Sequence, residues 1–147
     1  MLCNCFGGGT FMSKLMHTPY RIGNIVISNR IVKSAMFEYC ANQGKITDQH
    51  RQIYEDAARG GCGLIITGME AISSTAGNGP GMIHTEYDGY LEDMRSIVSK
   101  VHRYSSRIFV QLQHAGPRTG RVATTVLPHH LLKWLMALFI MRLPKTN

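Results

Sequence analysis

The fold is decided by the stretch Gly63-Leu64-Ile65-Ile66-Thr67-Gly68, an apolar run rich in β-branched residues that ends in small and polar ones. A strand that is apolar without alternation is typical of a parallel sheet covered on both faces. Two further apolar runs end at Ser34-Ala35-Met36 and at Val110-Gln111-Leu112. Each gap between the runs has room for one helix. We therefore predict a βαβαβ succession, the beginning of a parallel barrel or of a doubly wound sheet.

The segments around these runs carry helix and turn signals. Thr47 followed by Asp48 predicts a helix start, and the apolar face of that helix is expected at Ile53, Ala57 and Ala58. A second helix is predicted over about residues 86–104, since apolar residues recur there at helical spacing. Those residues are Tyr90, Leu91, Met94, Ile97, Val98 and Val101. Alternating residues 20–29 predict a hairpin, which we expect to close the amino-terminal mouth of a barrel.

The sequence divides into three parts with different characters. Residues 1–12 are expected to be a flexible leader, and residues 13–120 carry the strand and helix pattern. Within them, strands are predicted at 30–36, 63–67 and 108–112, and a long loop at 70–85. Residues 121–147 form an atypical tail without acidic residues, which we interpret as frameshifted; a natural amphipathic tail is the alternative. A closed eightfold barrel needs about 250 residues, so the sequence predicts a truncated barrel.

Charge and cysteine content exclude several classes of protein. The net charge is +7, but all nine acids lie between Glu38 and Asp93, and nine of the sixteen bases follow from Arg95 onward. Because no basic block alternates with aromatic residues, we expect no nucleic-acid partner. The apolar run 131–141 is shorter than the roughly 20 residues of a membrane span, so no membrane partner is expected. The four cysteines lack zinc-ligand spacing, which predicts free thiols, no metal and a cytoplasmic location.

The strand ends suit a flat ring that carries amide groups. A doubly wound dinucleotide site would need Gly-x-Gly-x-x-Gly after the first strand, and residues 37–44 do not contain it. By contrast, Gln111 offers both a donor and an acceptor, as the pyrimidine edge of a flavin requires. Small residues at Ala35 and Gly68 would let a ring approach the backbone, and Met36 and Met69 offer polarizable sulfur. Core packing is the alternative for each, and for Met36 it is the preferred one.

No catalytic group can be assigned from the sequence. There is no Ser-His-Asp, Cys-His or paired-carboxylate arrangement, and the distance between Glu38 and Glu70, each following a strand, is not fixed by the pattern. His114 follows the third strand, where a structural role is the simpler interpretation. Tyr39 in the first loop could close over a substrate or lie at the surface.

Four motifs, in order, resemble the start of the Old Yellow Enzyme family over about residues 15–120. These are FMN-dependent NAD(P)H oxidoreductases built on a (β/α)8 TIM barrel, and the resemblance is strongest to the bacterial NADH:flavin oxidoreductase and 2,4-dienoyl-CoA reductase branch. The motifs are Thr18-Pro19-Tyr20-Arg21-Ile22-Gly23, Asn29-Arg30-Ile31-Val32-Lys33-Ser34-Ala35-Met36, Gly60-Gly61-Cys62-Gly63-Leu64-Ile65-Ile66-Thr67-Gly68 and Gln111-Leu112-Gln113-His114-Ala115-Gly116.

The resemblance implies which residues contact the cofactor and the substrate. The implied FMN contacts are Ala35, Met36, Phe37, Gly68, Met69 and Gln111. Tyr39 matches a position that lines the substrate side in some members. Phe37 stands where many members have Thr or Cys, Ala35 replaces a common Pro, and Pro117 interrupts the usual His-Ala-Gly-Arg.

The implied reaction passes a hydride from NAD(P)H through the flavin to an activated alkene or similar small molecule. The family's substrate-anchoring and proton-donating residues lie on later strands, so whether this truncated chain is active stays open. The alternative hypothesis is a non-catalytic interaction or scaffold protein derived from a half-barrel.

Overall fold

The computed structural model describes residues 14–119. The predictions for the leader 1–12 and the tail 121–147 concern residues outside this range. The described elements, in chain order, are β1 (Tyr20–Ile22), β2 (Ile25–Ile27), β3 (Val32–Lys33), α1 (Asp48–Arg59), β4 (Leu64–Ala71), β5 (Ile83–His84), α2 (Tyr90–His102) and β6 (Arg107–Gln113), followed by a 3-10 turn at Gly116–Thr119.

Strand β4 is the centre of a parallel sheet. It pairs with β3 through Val32 and Leu64, and with β6 from Leu64 to Ala71. The short strand β5 pairs with the carboxyl end of β4. Helix α1 connects β3 to β4, and α2 lies between β5 and β6. The predicted βαβαβ succession is therefore confirmed.

The two faces of the sheet are covered differently. Helices α1 and α2 pack on one face, where Ile65 and Ile108 join a large buried cluster with Tyr54 and Ile97. On the opposite face a second cluster lies near the amino ends of the strands. It is formed by Ile27, Leu64 and Phe109, with Ile22, Ile25 and Ile66 beside it. Strands β1 and β2 are antiparallel, so the predicted hairpin is confirmed, and it packs where the mouth of a barrel would be.

The strand boundaries differ from the predicted ones. The first parallel strand spans only Val32–Lys33 instead of residues 30–36, because its ladder with β4 covers two residues. The second strand continues to Ala71 rather than ending at Thr67, since β6 and β5 pair along its carboxyl half. The predicted loop 70–85 accordingly contains the end of β4 and the whole of β5 (Ile83–His84).

The helices confirm the prediction in position but not in every buried residue. The residues of α1 buried against the sheet are His50, Tyr54 and Ala58, whereas the predicted Ile53 and Ala57 are half-buried. Burial is acceptable for His50 because its Nδ1 accepts the N–H of Thr47 at 3.2 Å, which completes a capping box. Helix α2 starts later than predicted, after Gly89 in a left-handed conformation (φ 93°), and its Leu91 is 57% exposed.

Residues 14–119 contain no helix long and apolar enough to cross a membrane. They also contain no group of three or more side chains suited to holding a metal ion. Cys40 and Cys62 are free thiols in this part of the chain. Cys3 and Cys5 lie outside it.

Candidate functional site

The candidate site lies on the sheet face opposite the helices, at the carboxyl ends of β4 and β6. Successive residues of a strand point to opposite faces. On β6, Ile108 and Val110 pack with the helix-side cluster, so Phe109 and Gln111 face the other way. Gln111 is exposed there, and its register partner on β4 is Met69. The face that carries Gln111 is thus open above the hairpin.

A β-bulge interrupts β4 next to these residues. Ile66 pairs with Phe109, and the next pair is Met69 with Gln111, so β4 contains one extra residue. The N–H of Gln111 donates to Thr67 Oγ1 at 3.0 Å, where an uninterrupted ladder would supply a backbone carbonyl. The bulge therefore includes Gly68 and ends at Met69, which are two of the residues implied as flavin contacts.

Gly68 has a packing role that its sequence context did not reveal. A Cβ at this position would collide with the carboxylate of Glu38, and it would approach the Met36 carbonyl oxygen to 2.6 Å. The N–H of Gly68 donates to Tyr54 Oη at 3.3 Å. The absence of a side chain therefore lets the loop after β3 pack against β4, and flavin contact by Gly68 stays a prediction.

The residues after β3 present apolar groups near the same edge. Met36 is 61% exposed and Tyr39 70% exposed; Ala35 is also exposed. The ring of Tyr39 lies 3.9 Å, centroid to centroid, from that of Phe37. Phe37 in turn packs with Met69 against a small buried cluster. Phe37 and Met69 thus pack against the same buried cluster, Met69 is in register with Gln111, and Tyr39 contacts Phe37.

Backbone hydrogen bonds connect the three loops that follow β3, β4 and β6. Ala41 N–H donates to the Gly81 carbonyl at 3.1 Å, and His84 N–H donates to Gly44 at 2.8 Å. Ala115 N–H donates to Ala76 at 2.9 Å. Gly81 is needed because an added Cβ would lie 2.8 Å from the carbonyl oxygen of Tyr39. These bonds hold the first loop, and with it Tyr39, which has a left-handed backbone (φ 55°).

The two carboxylates that follow the strands are both engaged by other side chains of the chain. Glu38 pairs with Lys33 at 3.2 Å. Glu70 is 1% exposed and accepts the Tyr90 hydroxyl at 2.6 Å, whereas its Oε1 has no hydrogen-bond partner in the described part of the chain. Because Glu70 meets helix α2, it lies on the helix side.

Burial is the main cause of the shifted pKa of the Glu70 carboxyl. Desolvation raises the pKa of Glu70 to about 7, and the nearby Glu38 carboxylate acts in the same direction. Desolvation also raises the pKa of the Tyr54 and Tyr90 hydroxyls. Both phenols therefore stay protonated at neutral pH and serve as neutral hydrogen-bonding groups.

From the sequence, Tyr90 is placed on the apolar face of a helix and Thr67 at the end of a strand, but no hydrogen-bonding role is predicted for Thr67, Tyr54 or Tyr90. The signal for Tyr54 was the spacing of His50, Tyr54 and Ala58 by four residues, which places them on one helix face. It was missed because two of these residues are polar. No sequence signal reveals Thr67, since its role depends on a break in strand register.

The open face has the chemistry that one side of a flavin ring requires. The isoalloxazine ring offers an apolar plane and an amide-bearing edge. The exposed Gln111 amide can donate and accept, and Met69 beside it and Met36 nearby supply polarizable surface. The residues present therefore fit FMN, and on this fit Gln111 would hold the pyrimidine edge.

Comparison with known proteins places the chain in a family. The model of the NADH:flavin oxidoreductase / NADH oxidase family matches residues 15–125. An NADH oxidase from Thermoanaerobacter brockii is 37% identical over 101 residues, which cover 67% of this chain and 16% of the relative. An NADPH dehydrogenase from Geobacillus sp. (strain WCH70) is 30% identical over 110 residues, covering 74% of this chain and 32% of the relative.

A solved structure agrees with these relatives. The Old Yellow Enzyme homologue from Zymomonas mobilis superposes with a TM-score of 0.63 at 25% identity, over 72% of this chain and 31% of that one. The fold is thus that of the first β/α units of a TIM barrel, as predicted. The chain belongs to the NADH:flavin oxidoreductase / NADH oxidase family. It spans between about a sixth and a third of the length of these relatives.

Proposed function

We propose that this chain forms the amino-terminal wall of the flavin site of an FMN-dependent NAD(P)H oxidoreductase of the Old Yellow Enzyme type. The single observation that carries the proposal is the exposed side chain of Gln111, which lies between the apolar residues Val110 and Leu112 of β6 and in register with Met69. Membership of the family supports it.

The residues of this chain would bind and orient the cofactor. Gln111 would hydrogen-bond the pyrimidine edge, and Ala35, Met36 and Phe37 would lie along the ring with Met69. Tyr39 would line the substrate side, since its side chain is exposed and its ring packs against that of Phe37 at a tilt of 42°. Bound FMN supplies the capacity to accept a hydride from NAD(P)H and deliver it to a small acceptor such as an activated alkene.

The binding test is a titration of the purified 147-residue chain with FMN, followed by flavin fluorescence and absorbance. We expect saturable binding that Gln111→Leu weakens at least about tenfold, the effect of losing well-formed hydrogen bonds to a ligand. Gln49→Leu is the matched control, because Gln49 is exposed on α1, on the helix side of the sheet. Equal affinity in both variants would remove Gln111 from the site.

Turnover is a separate question. We propose that the 147-residue chain alone does not oxidise NAD(P)H, because the described residues supply only one wall of the site. The measurement is NAD(P)H absorbance with saturating FMN and an activated alkene. Saturable consumption would contradict this part of the proposal. Failure to bind FMN at all would contradict the flavin site and favour the non-catalytic scaffold.

A further inference from the structure

The bulge in β4 decides which side chains reach the open face. Before it, Leu64 and Ile66 pack on the hairpin side of the sheet, and Ile65 packs on the helix side. If alternation continued unbroken, Gly68 and Glu70 would follow on the hairpin side. The extra residue reverses this order. Met69 comes to the open face beside Gln111, and Glu70 turns to Tyr90 of α2.

Two side-chain hydroxyls satisfy the backbone groups that the bulge leaves without ladder partners. Thr67 Oγ1 accepts the N–H of Gln111 at 3.0 Å and lies 3.0 Å from the Gly68 carbonyl oxygen, to which it donates. Tyr54 Oη accepts the N–H of Gly68 at 3.3 Å. Thr67 is fully buried and Tyr54 nearly so. Loss of the Tyr54 hydroxyl would leave the buried N–H of Gly68 unpaired, and loss of the Thr67 hydroxyl would remove the partner of the part-buried N–H of Gln111; both losses are costly.

We propose that Thr67 and Tyr54 are positioning residues, whose hydroxyls hold the bulge and thereby aim Met69 and Gln111 at the ligand. Neither residue touches the ligand. Thr67 fixes the backbone of Gln111 directly, and Tyr54 fixes Gly68 from the helix side. This inference rests on the proposed flavin site for the identity of the ligand. The stabilisation of the bulge by the two hydroxyls does not depend on that site.

The test compares Thr67→Val with Thr67→Ser in the 147-residue chain. Valine keeps the shape of threonine but removes the hydroxyl, whereas serine retains the hydroxyl. The first readout is amide hydrogen exchange of Gln111, measured by NMR, with Phe109 as the internal reference on the same strand. The second is the FMN dissociation constant together with the absorbance spectrum of the bound flavin.

We expect Thr67→Val to speed exchange at Gln111 at least about tenfold, as loss of one hydrogen bond allows, with little change at Phe109. FMN should bind at least about fivefold more weakly, since misaligned groups lose affinity. Thr67→Ser should restore both properties to within about twofold of the original. Unchanged exchange and affinity in Thr67→Val, or no rescue by serine, would overturn the proposal.

Tyr54→Phe keeps the proposal testable where Thr67→Val fails to fold, which loss of protection at Phe109 would reveal. The expected result is faster exchange at Gly68 and weaker FMN binding, and unchanged values for both would overturn the role of Tyr54. If the unsubstituted chain binds no FMN, the proposed function fails. Amide hydrogen exchange at Gln111 and Gly68 then tests, without FMN, whether the two hydroxyls stabilise the bulge.

Discussion

Gly68 is a glycine for a structural reason that its neighbours in the sequence do not reveal. In the sequence, a glycine at the end of a strand suggests room for a ligand. In the fold, the space beside it is filled by Glu38 and by the Met36 carbonyl. Those groups precede Gly68 by about 30 positions, so no local pattern could reveal them. The residue joins the first loop to the central strand.

Gly68→Ala should therefore destabilise the chain. The added methyl group cannot avoid the backbone carbonyl of Met36 at 2.6 Å without moving the loop or the strand. Overpacking of this kind costs about 1–3 kcal/mol. Urea unfolding followed by circular dichroism measures the effect. Gly79→Ala is the control, since nothing lies within 4 Å of its Cβ position, and equal midpoints for the two variants would contradict the packing argument.

Glu70 gives the chain a predicted pH dependence. Burial raises its pKa from 4.5 to about 7, with a contribution from the Glu38 carboxylate, while the hydrogen bond from Tyr90 opposes the shift. Because the folded pKa exceeds the unfolded one, the protonated carboxyl favours folding. This contribution is complete below about pH 4.5 and is lost as the pH rises through 7, and it amounts to roughly 3 kcal/mol.

Hydrogen exchange can measure this effect locally. Between pH 6 and pH 8 we expect amides of β4 and α2 to lose protection in the original chain, after correction for intrinsic exchange. Glu70→Gln stays neutral and should show a flat profile over the same range. A matching decline in both proteins would assign the pH dependence to another group.

At the level of elements, α2 separates a buried stripe from an exposed one. Ile97 is 1% exposed within the helix-side cluster, whereas Leu91 on the same helix is mostly exposed. Ile97→Ala should lower the free energy of unfolding by about 2–4 kcal/mol, because it removes buried methyl groups and leaves a cavity. Leu91→Ala should change it by less than about 0.5 kcal/mol. Urea midpoints for the two variants test the difference, and similar losses would contradict the observed orientation of the helix.

The sequence predicted the parallel strands, both helices and the hairpin, because their apolar periodicity is strong. It did not predict strand β5, which has two residues and depends on pairing with Ala71 and Glu70. It also did not predict the bulge. Because β4 is mostly apolar without alternation, one inserted residue does not interrupt its hydrophobic pattern. In the candidate site, Gln111 stood out as a polar residue on an apolar strand. The hydroxyls of Thr67 and Tyr54 did not, because their partners are backbone groups elsewhere in the chain.

At the scale of the whole molecule, β3 and the short β5 form one edge of the described sheet and β6 forms the other, and each of these strands pairs only with β4. A strand with one free edge exposes backbone groups that can pair with another chain. Beside the β3 edge the surface is apolar, with Val32 and Met36 both exposed. This combination favours association between copies.

We therefore expect the 147-residue chain to associate in a concentration-dependent way, measured by light scattering. Val32→Lys should reduce association, since a charge on an edge strand opposes pairing. Val26→Lys is the control, because Val26 is similarly exposed but lies on the hairpin strand β2. Equal scattering by the two variants would show that the β3 edge is not the contact.

The hydrogen bonds among the three loops have a consequence for how this scaffold can be altered. The segment after β4 is fastened on one side by Gly81 and on the other by Ala76. Between these attachments, residues 78–80 are exposed, and Gly79 has open space around it. Added residues are best tolerated where the backbone is exposed and unbonded. Insertions at residues 78–80 should therefore lengthen the loop after β4 without disturbing the sheet. Such insertions would change which ligands can reach the open face.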